Sequence, residues 1–270
     1  MTMLISFVGV DNHGYTSAYL MSDSRICWDS DYYDNARKLF ASKKYPDIFG
    51  FVGDTLFPSI VLAQIIGMID NGLLISERMD AVQKNKIIFE KIIYELKRYP
   101  ERYRAKNVTI IHMCRDDSSN DKYPRFFHFE LSFDANKRKH IKCVQLPDVS
   151  DIVKTYGSGS GIFNSTFERL KKIRKNKYTT RCVFQSFIEV LKNHSDGSFG
   201  GPPQIVGLYR KPQSVAIEFG IIYNRKRYFL GTEVPRKSCC QNIEWRNTRF
   251  EICDGDNKRI KPGASKQPVE

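Results

Sequence analysis

Four short stretches concentrate the groups that could do chemistry: Ser22-Asp23-Ser24-Arg25 followed by Lys38, Gly50-Phe51-Val52-Gly53-Asp54, Gly157-Ser158-Gly159-Ser160-Gly161, and Asp196-Gly197-Ser198-Phe199-Gly200-Gly201. Behind Met1-Thr2 they supply a hydroxyl, a carboxylate, an ammonium, backbone N–H donors in glycine-rich loops and further small polar side chains. Such a set suits hydrolysis of an amide by an N-terminal threonine. A threonine hydroxyl attacks poorly near neutral pH, and an N-terminal threonine carries its own base, an α-amine with an ordinary pKa of about 7.7 to 8.0. Removal of Met1 is the precondition. A cation beside the hydroxyl disfavours protons on it and on the amine, while a carboxylate keeps that cation charged and placed. Taken singly, each stretch also has an ordinary reading: Asp23 with Arg25 as a strand-end pair, Lys38 as a surface lysine, and the Gly/Ser loops as caps and tight turns.

Positioning these groups falls to the elements around them. Thr2 to Val10 is apolar with β-branched and aromatic content, Asp11-Asn12-His13-Gly14 is a turn signal, and Tyr15 to Ser22 resumes the strand pattern, which predicts a hairpin. With the turn centred near Asn12 and His13, opposing residues have numbers summing to about 25, so Thr2 falls across from Asp23. A second strand pair is predicted over Arg37 to Ser42 and Ile48 to Val52, then helices over about Thr55 to Asp70 and Ser76 to Tyr99. A period of two returns at Val108 to Cys114, Phe126 to Phe133 and Ile141 to Leu146. Helices over about Phe163 to Arg174 and Thr179 to Lys192 follow, and strands near Gln204 to Tyr209, Val215 to Ile222 and Tyr228 to Leu230 close the pattern. This order predicts an α+β fold, a four-layer αββα sandwich of two antiparallel sheets flanked by helices. Residues 1–234 are expected to form the main domain and 235–270 an appendage, with Trp245 and Phe250, that runs into a disordered polar tail.

With 270 residues and 41% hydrophobic composition the chain can bury a full core without disulfides. No apolar run approaches the roughly 20 residues of a membrane span, and Met1-Thr2-Met3-Leu4 lacks the basic region and cleavage site of a secretory signal, so a cytoplasmic protein with no membrane contact is expected. Seven scattered cysteines fit a reducing compartment, and neither they nor the five histidines show ligand spacing, so neither a metal nor any other cofactor is expected. A net charge of +13 leaves an acidic partner or nucleic acid open. The densest basic run, Arg169 to Lys177, alternates with Phe163, Phe167, Leu170 and Ile173 at the spacing of one buried helical stripe, which favours a solvated helix face over a nucleic-acid contact.

From Thr2 to about Leu230 the chain resembles a proteasome β-type subunit or the related bacterial ATP-dependent threonine peptidase, members of the N-terminal-nucleophile hydrolase superfamily. The resemblance rests on Asp23-Ser24-Arg25, on Lys38-Leu39, on Gly50-Phe51-Val52-Gly53 leading into a helix, on Gly157-Ser158-Gly159 before another, and on Asp196-Gly197-Ser198-Phe199-Gly200-Gly201. It implies that Thr2 is the nucleophile, that Asp23 and Lys38 assist it, and that Gly53 N–H receives the oxyanion. Ser158 and Asp196 would hold the amine, and Ile26, Phe51 and Thr55 would line a shallow apolar pocket for the residue before the cut bond. It further implies peptide or unfolded-protein substrates, a homo-oligomeric ring and an ATP-dependent unfoldase as partner.

Three departures bear on that transfer. Phe199 stands where the family has a serine hydroxyl, the first hairpin is longer than the family's, and Asp54 replaces a glycine. Two other functions therefore stay open: a catalytically silent structural or partner-binding subunit of the same fold, and a basic nucleic-acid-associated module.

Overall fold

The computed structural model describes residues 2–28, 31–100, 107–118, 122–134, 138–174, 177–194, 197–211 and 213–264. The chain opens with the expected hairpin, β1 (Leu4–Asp11) and β2 (Gly14–Ser22). Its register departs by one residue from the expectation: Asp11 pairs with Gly14 and Val10 with Tyr15, but Gly9 pairs with Ser17 and Leu4 with Ser22. Thr16 is the extra residue, and it crowds Gly9, where an added Cβ would meet Thr16 Oγ1 at 2.7 Å. The bulge therefore sits at the strand position with least side chain.

A short hairpin, β3 (Ile26–Trp28) and β4 (Asp31–Tyr33), forms a sheet of its own. Then come β5 (Leu39–Ala41), β6 (Asp47–Val52), helices α1 (Leu56–Asp70) and α2 (Ala81–Arg98), and strands β7 (Val108–Asp116), β8 (Arg125–Phe133) and β9 (Lys139–Cys143). β5 to β9 form one sheet in chain order. After β10 (Asp151–Tyr156) the chain makes α3 (Ser160–Ile173), α4 (Thr180–Asn193), β11 (Gln204–Tyr209) and β12 (Ile217–Glu218). These strands complete the first sheet in the order β10-β1-β2-β11-β12. The chain continues with β13 (Gly220–Tyr223), β14 (Lys226–Phe229), β15 (Thr232–Glu233), β16 (Trp245–Asn247) and β17 (Ile252–Cys253), a sheet ordered β15-β14-β13-β16-β17.

The expected sandwich of two antiparallel sheets is thus overturned: the described residues form four sheets, and in one of them β13 and β16 run parallel. The single strand expected over Val215 to Ile222 breaks at Phe219, with β12 staying beside β11 and β13 starting the further sheet. Among the described residues, three of the four buried apolar clusters hold the first sheet, the β5–β9 sheet and the helices together. Leu4, Val8, Leu20 and Val206 meet Leu39, Ile48, Ile111 and Met113 between two sheets. Met3, Ile5 and Phe7, on the other face of β1, pack with Phe163, Phe184 and Phe187 of α3 and α4, and Phe49 and Phe51 pack with Val61, Ile65 and Ile88 of α1 and α2. This alternation is the period of two expected for strands covered on both faces.

On α3 the stripe Phe163, Phe167 and Leu170 is buried as expected, but Ile173 is 69% exposed because the helix ends there. Lys171 pairs with Asp151 at 2.6 Å, and Arg169 and Arg174 pair with Glu189 of α4. Those cations serve internal contacts. No helix among the described residues is long and apolar enough to cross a membrane. The tail expected from Asn257 onward is described as far as residue 264; residues 265–270 lie outside the described residues.

Candidate active site

Asp23 follows the last residue of β2, and the one-residue shift places it opposite Met3 rather than Thr2: Asp23 N donates to Met3 O at 3.1 Å. Its carboxylate turns back across the strand end. Oδ1 accepts Met3 N at 3.0 Å and Lys38 Nζ at 2.8 Å, while Oδ2 accepts Arg25 N at 3.1 Å and Gly200 N at 3.0 Å. Asp23 is fully buried, and these four donors replace the water it has lost. Lys38, just before β5, is equally buried and spans the gap, donating from Nζ to Thr2 Oγ1 at 3.1 Å as well as to Asp23. The hydroxyl, ammonium and carboxylate predicted from the sequence therefore meet, with the lysine as bridge. Arg25 does not pair with Asp23 through its side chain; its guanidinium binds Asp34 at 2.6 and 2.9 Å and lies 3.8 Å over the Tyr32 ring.

The loop after β10 closes on the other side of Thr2. Gly157 has φ +86°, and a Cβ there would lie 2.0 Å from Thr2 O, so only glycine lets the loop pass this close. Gly159 N reaches the same carbonyl at 3.4 Å. Ser158 Oγ donates to Ser198 Oγ at 3.2 Å, whereas Phe199 turns inward and is fully buried in the core with Phe163 and Phe187. The loop thus presents Ser198, not Phe199, to Ser158. Asp196 lies outside the described residues.

Gly53, with φ +98°, links β6 to α1, and Asp54, one residue before the N-cap, accepts Leu56 N at 3.0 Å through Oδ1. Thr55 is half-buried at the helix N-cap and Ile26 half-buried on β3. Phe51 points to the helix side of β6, packs with Phe49 and Phe57, and has no exposed surface to offer a ligand.

Sequence reasoning missed Gln204, at the head of β11. Its side chain is fully buried and bonds both segments that carry the charged pair. A glutamine following Pro202-Pro203 at a strand start was the available signal, although glutamine is mostly exposed in folded proteins. Away from this site, Asp47, His112 and Cys114 are buried with one candidate metal-ligand atom each, all within 4.8 Å of one another. His112 Nε2 lies 2.8 Å from Asp47 Oδ1 and its Nδ1 lies 3.1 Å from Asn85 Oδ1, so the imidazole has a partner on both sides. Burial pushes the Cys114 thiol up, which keeps it protonated.

The arrangement of sheets and helices supports a proteasome-like fold. No protein-family model matches the chain, and no curated protein matches it. In shape it is similar to a mutant of Anbu from Hyphomicrobium sp. strain MC1, with a TM-score of 0.52 at 11% identity, covering 81% of this chain and 86% of that one.

Proposed function

We propose that the chain is a threonine peptidase that cleaves peptide bonds through an acyl ester on Thr2, once the bond between Met1 and Thr2 has been cut. One observation carries this reading: Lys38 Nζ lies 3.1 Å from Thr2 Oγ1 and 2.8 Å from Asp23 Oδ1, all three residues buried. Thr2 Oγ1 attacks the substrate carbonyl carbon and its proton passes to the freed α-amine, while Lys38 lowers the cost of the developing alkoxide. Gly53 N–H receives the oxyanion. The carbon–nitrogen bond then breaks, the leaving amine takes the proton, and water hydrolyses the ester. Ser158, Ser198 and Asp196 orient the amine, and Ile26 and Thr55 flank the substrate. In this reading the chain works in the cytoplasm as a homo-oligomeric ring on unfolded chains delivered by an ATP-dependent unfoldase.

The test is intact mass and N-terminal sequencing of purified protein, with and without a peptide epoxyketone. Loss of Met1 and one adduct on Thr2 are expected; a retained Met1 with no adduct overturns the reading. One observation favours a second reading, a catalytically silent subunit of the same fold: Phe199 is buried and contributes no hydroxyl to the amine. Unchanged function of Thr2→Ala in the same assembly would support that alternative.

A further inference from the structure

The two halves of the charged pair come from different segments, and one side chain joins them. The two N–H groups of Gln204 Nε2 are shared among three acceptors, Asp23 O at 3.0 Å, Ser24 Oγ at 2.9 Å and Ala36 O at 2.9 Å. Its Oε1 accepts Lys38 N at 3.0 Å and Leu39 N at 3.2 Å. Oxygens face the amide nitrogen and N–H groups face the amide oxygen, so only one orientation of the amide satisfies the site. We propose that Gln204 is the positioning residue that fixes the spacing between Asp23 and Lys38, and through it the placement of Lys38 Nζ against Thr2 Oγ1. This rests on the reading of Thr2 as nucleophile.

No other side-chain type does the same work here. Asparagine is one methylene short, glutamate as carboxylate can accept from Lys38 N and Leu39 N but cannot donate, and methionine leaves buried N–H and C=O groups unpaired. Chemistry that depends on a hydroxyl held against an ammonium is sensitive to displacements of this kind, with losses of order 100-fold for about 1 Å. Ser22, paired directly with Gln204 across the β2–β11 ladder, holds the backbone in place when the side chain changes.

The experiment compares epoxyketone labelling of Thr2 in wild type, Gln204→Met and Gln204→Glu, each checked for folding by circular dichroism. Gln204→Met is expected to lower the first-order labelling rate at saturating reagent roughly 10- to 100-fold, with the half-saturating concentration unchanged. Burial raises the pKa of a carboxyl at position 204, and its protonated form regains one donor, so the ratio of Gln204→Glu to wild type should climb as pH falls while that of Gln204→Met stays flat. Folded variants that label at the wild-type rate, or that change only the half-saturating concentration, overturn the proposal. So does failure of both variants to fold at every pH, which makes Gln204 a stability residue alone. A wild-type chain that never labels removes the peptidase reading instead. Gln204 is then decided by a crystal structure of Gln204→Glu: Lys38 Nζ still bonded to both Thr2 and Asp23 refutes its role, and a separated pair supports it.

Discussion

Asp23 is a buried charge that survives because three backbone N–H donors and one ammonium surround it. Removing the ammonium alone leaves that charge without its counter-ion: Lys38→Met should cost about 3 to 5 kcal/mol in urea unfolding and abolish labelling of Thr2. His128 is buried under a different constraint. Tyr156 Oη donates to Glu130 and lies 2.9 Å from His128 Nε2, which leaves Nε2 as donor and Nδ1 without a partner among the described residues. Burial lowers its pKa from 6.5 to about 4, so the folded protein holds this imidazole neutral. Between those values the unfolded chain binds the extra proton, so stability is lost as pH falls from about 6.5 toward 4, by up to about 3 kcal/mol. Urea unfolding of wild type and His128→Gln at pH 7 and pH 5 checks this; the variant should show the smaller drop.

At the scale of elements, Thr2 is held by a strand end on one side and a glycine loop on the other. Gly157→Ala must clash with Thr2 O and adopt a φ of +86°, and a loss of at least about 2 kcal/mol with slowed labelling is expected. Gly67→Ala on α1 meets open space and should instead gain about 0.5 to 1 kcal/mol, both changes read from thermal unfolding. The helices were legible where their signals were local. The start of α2 was expected near Ser76, although Asp80 with Gln83 spells the capping box that in fact begins it. The hairpin was legible from its turn, and its shifted register was foreshadowed by Gly9. β10 was not legible, being half-buried with no clean alternation, and strands of two to four residues such as β13 and β16 pair over distances no local pattern records. For the site, Thr2, Asp23 and Lys38 could be read from residue type and order, whereas Gln204 acts through backbone partners that have no sequence signature.

On the scale of the whole molecule, the last sheet ties residues on both sides of position 234 together, since β13 and β14 share it with β16 and β17. Trp245, 1% exposed, anchors it, and Trp245→Ala should cost about 3 to 5 kcal/mol. The other tryptophan, Trp28, is 57% exposed on the β3–β4 hairpin, so fluorescence of Trp28→Phe reports the Trp245 sheet alone. Its urea transition is expected to coincide with that of far-ultraviolet circular dichroism; separate midpoints would mark 235–270 as a unit of its own. Phe250 is why coincidence is expected: its ring lies 5.7 Å from that of Tyr19 on β2 and 4.7 Å from that of Phe184 on α4. A ribosome delivers Tyr19 long before Phe250, so the hairpin that follows Thr2 is translated with part of its packing still missing. Nascent chains stalled short of that aromatic should stay protease-sensitive, and under the proposed function this keeps the centre switched off until synthesis has passed residue 250.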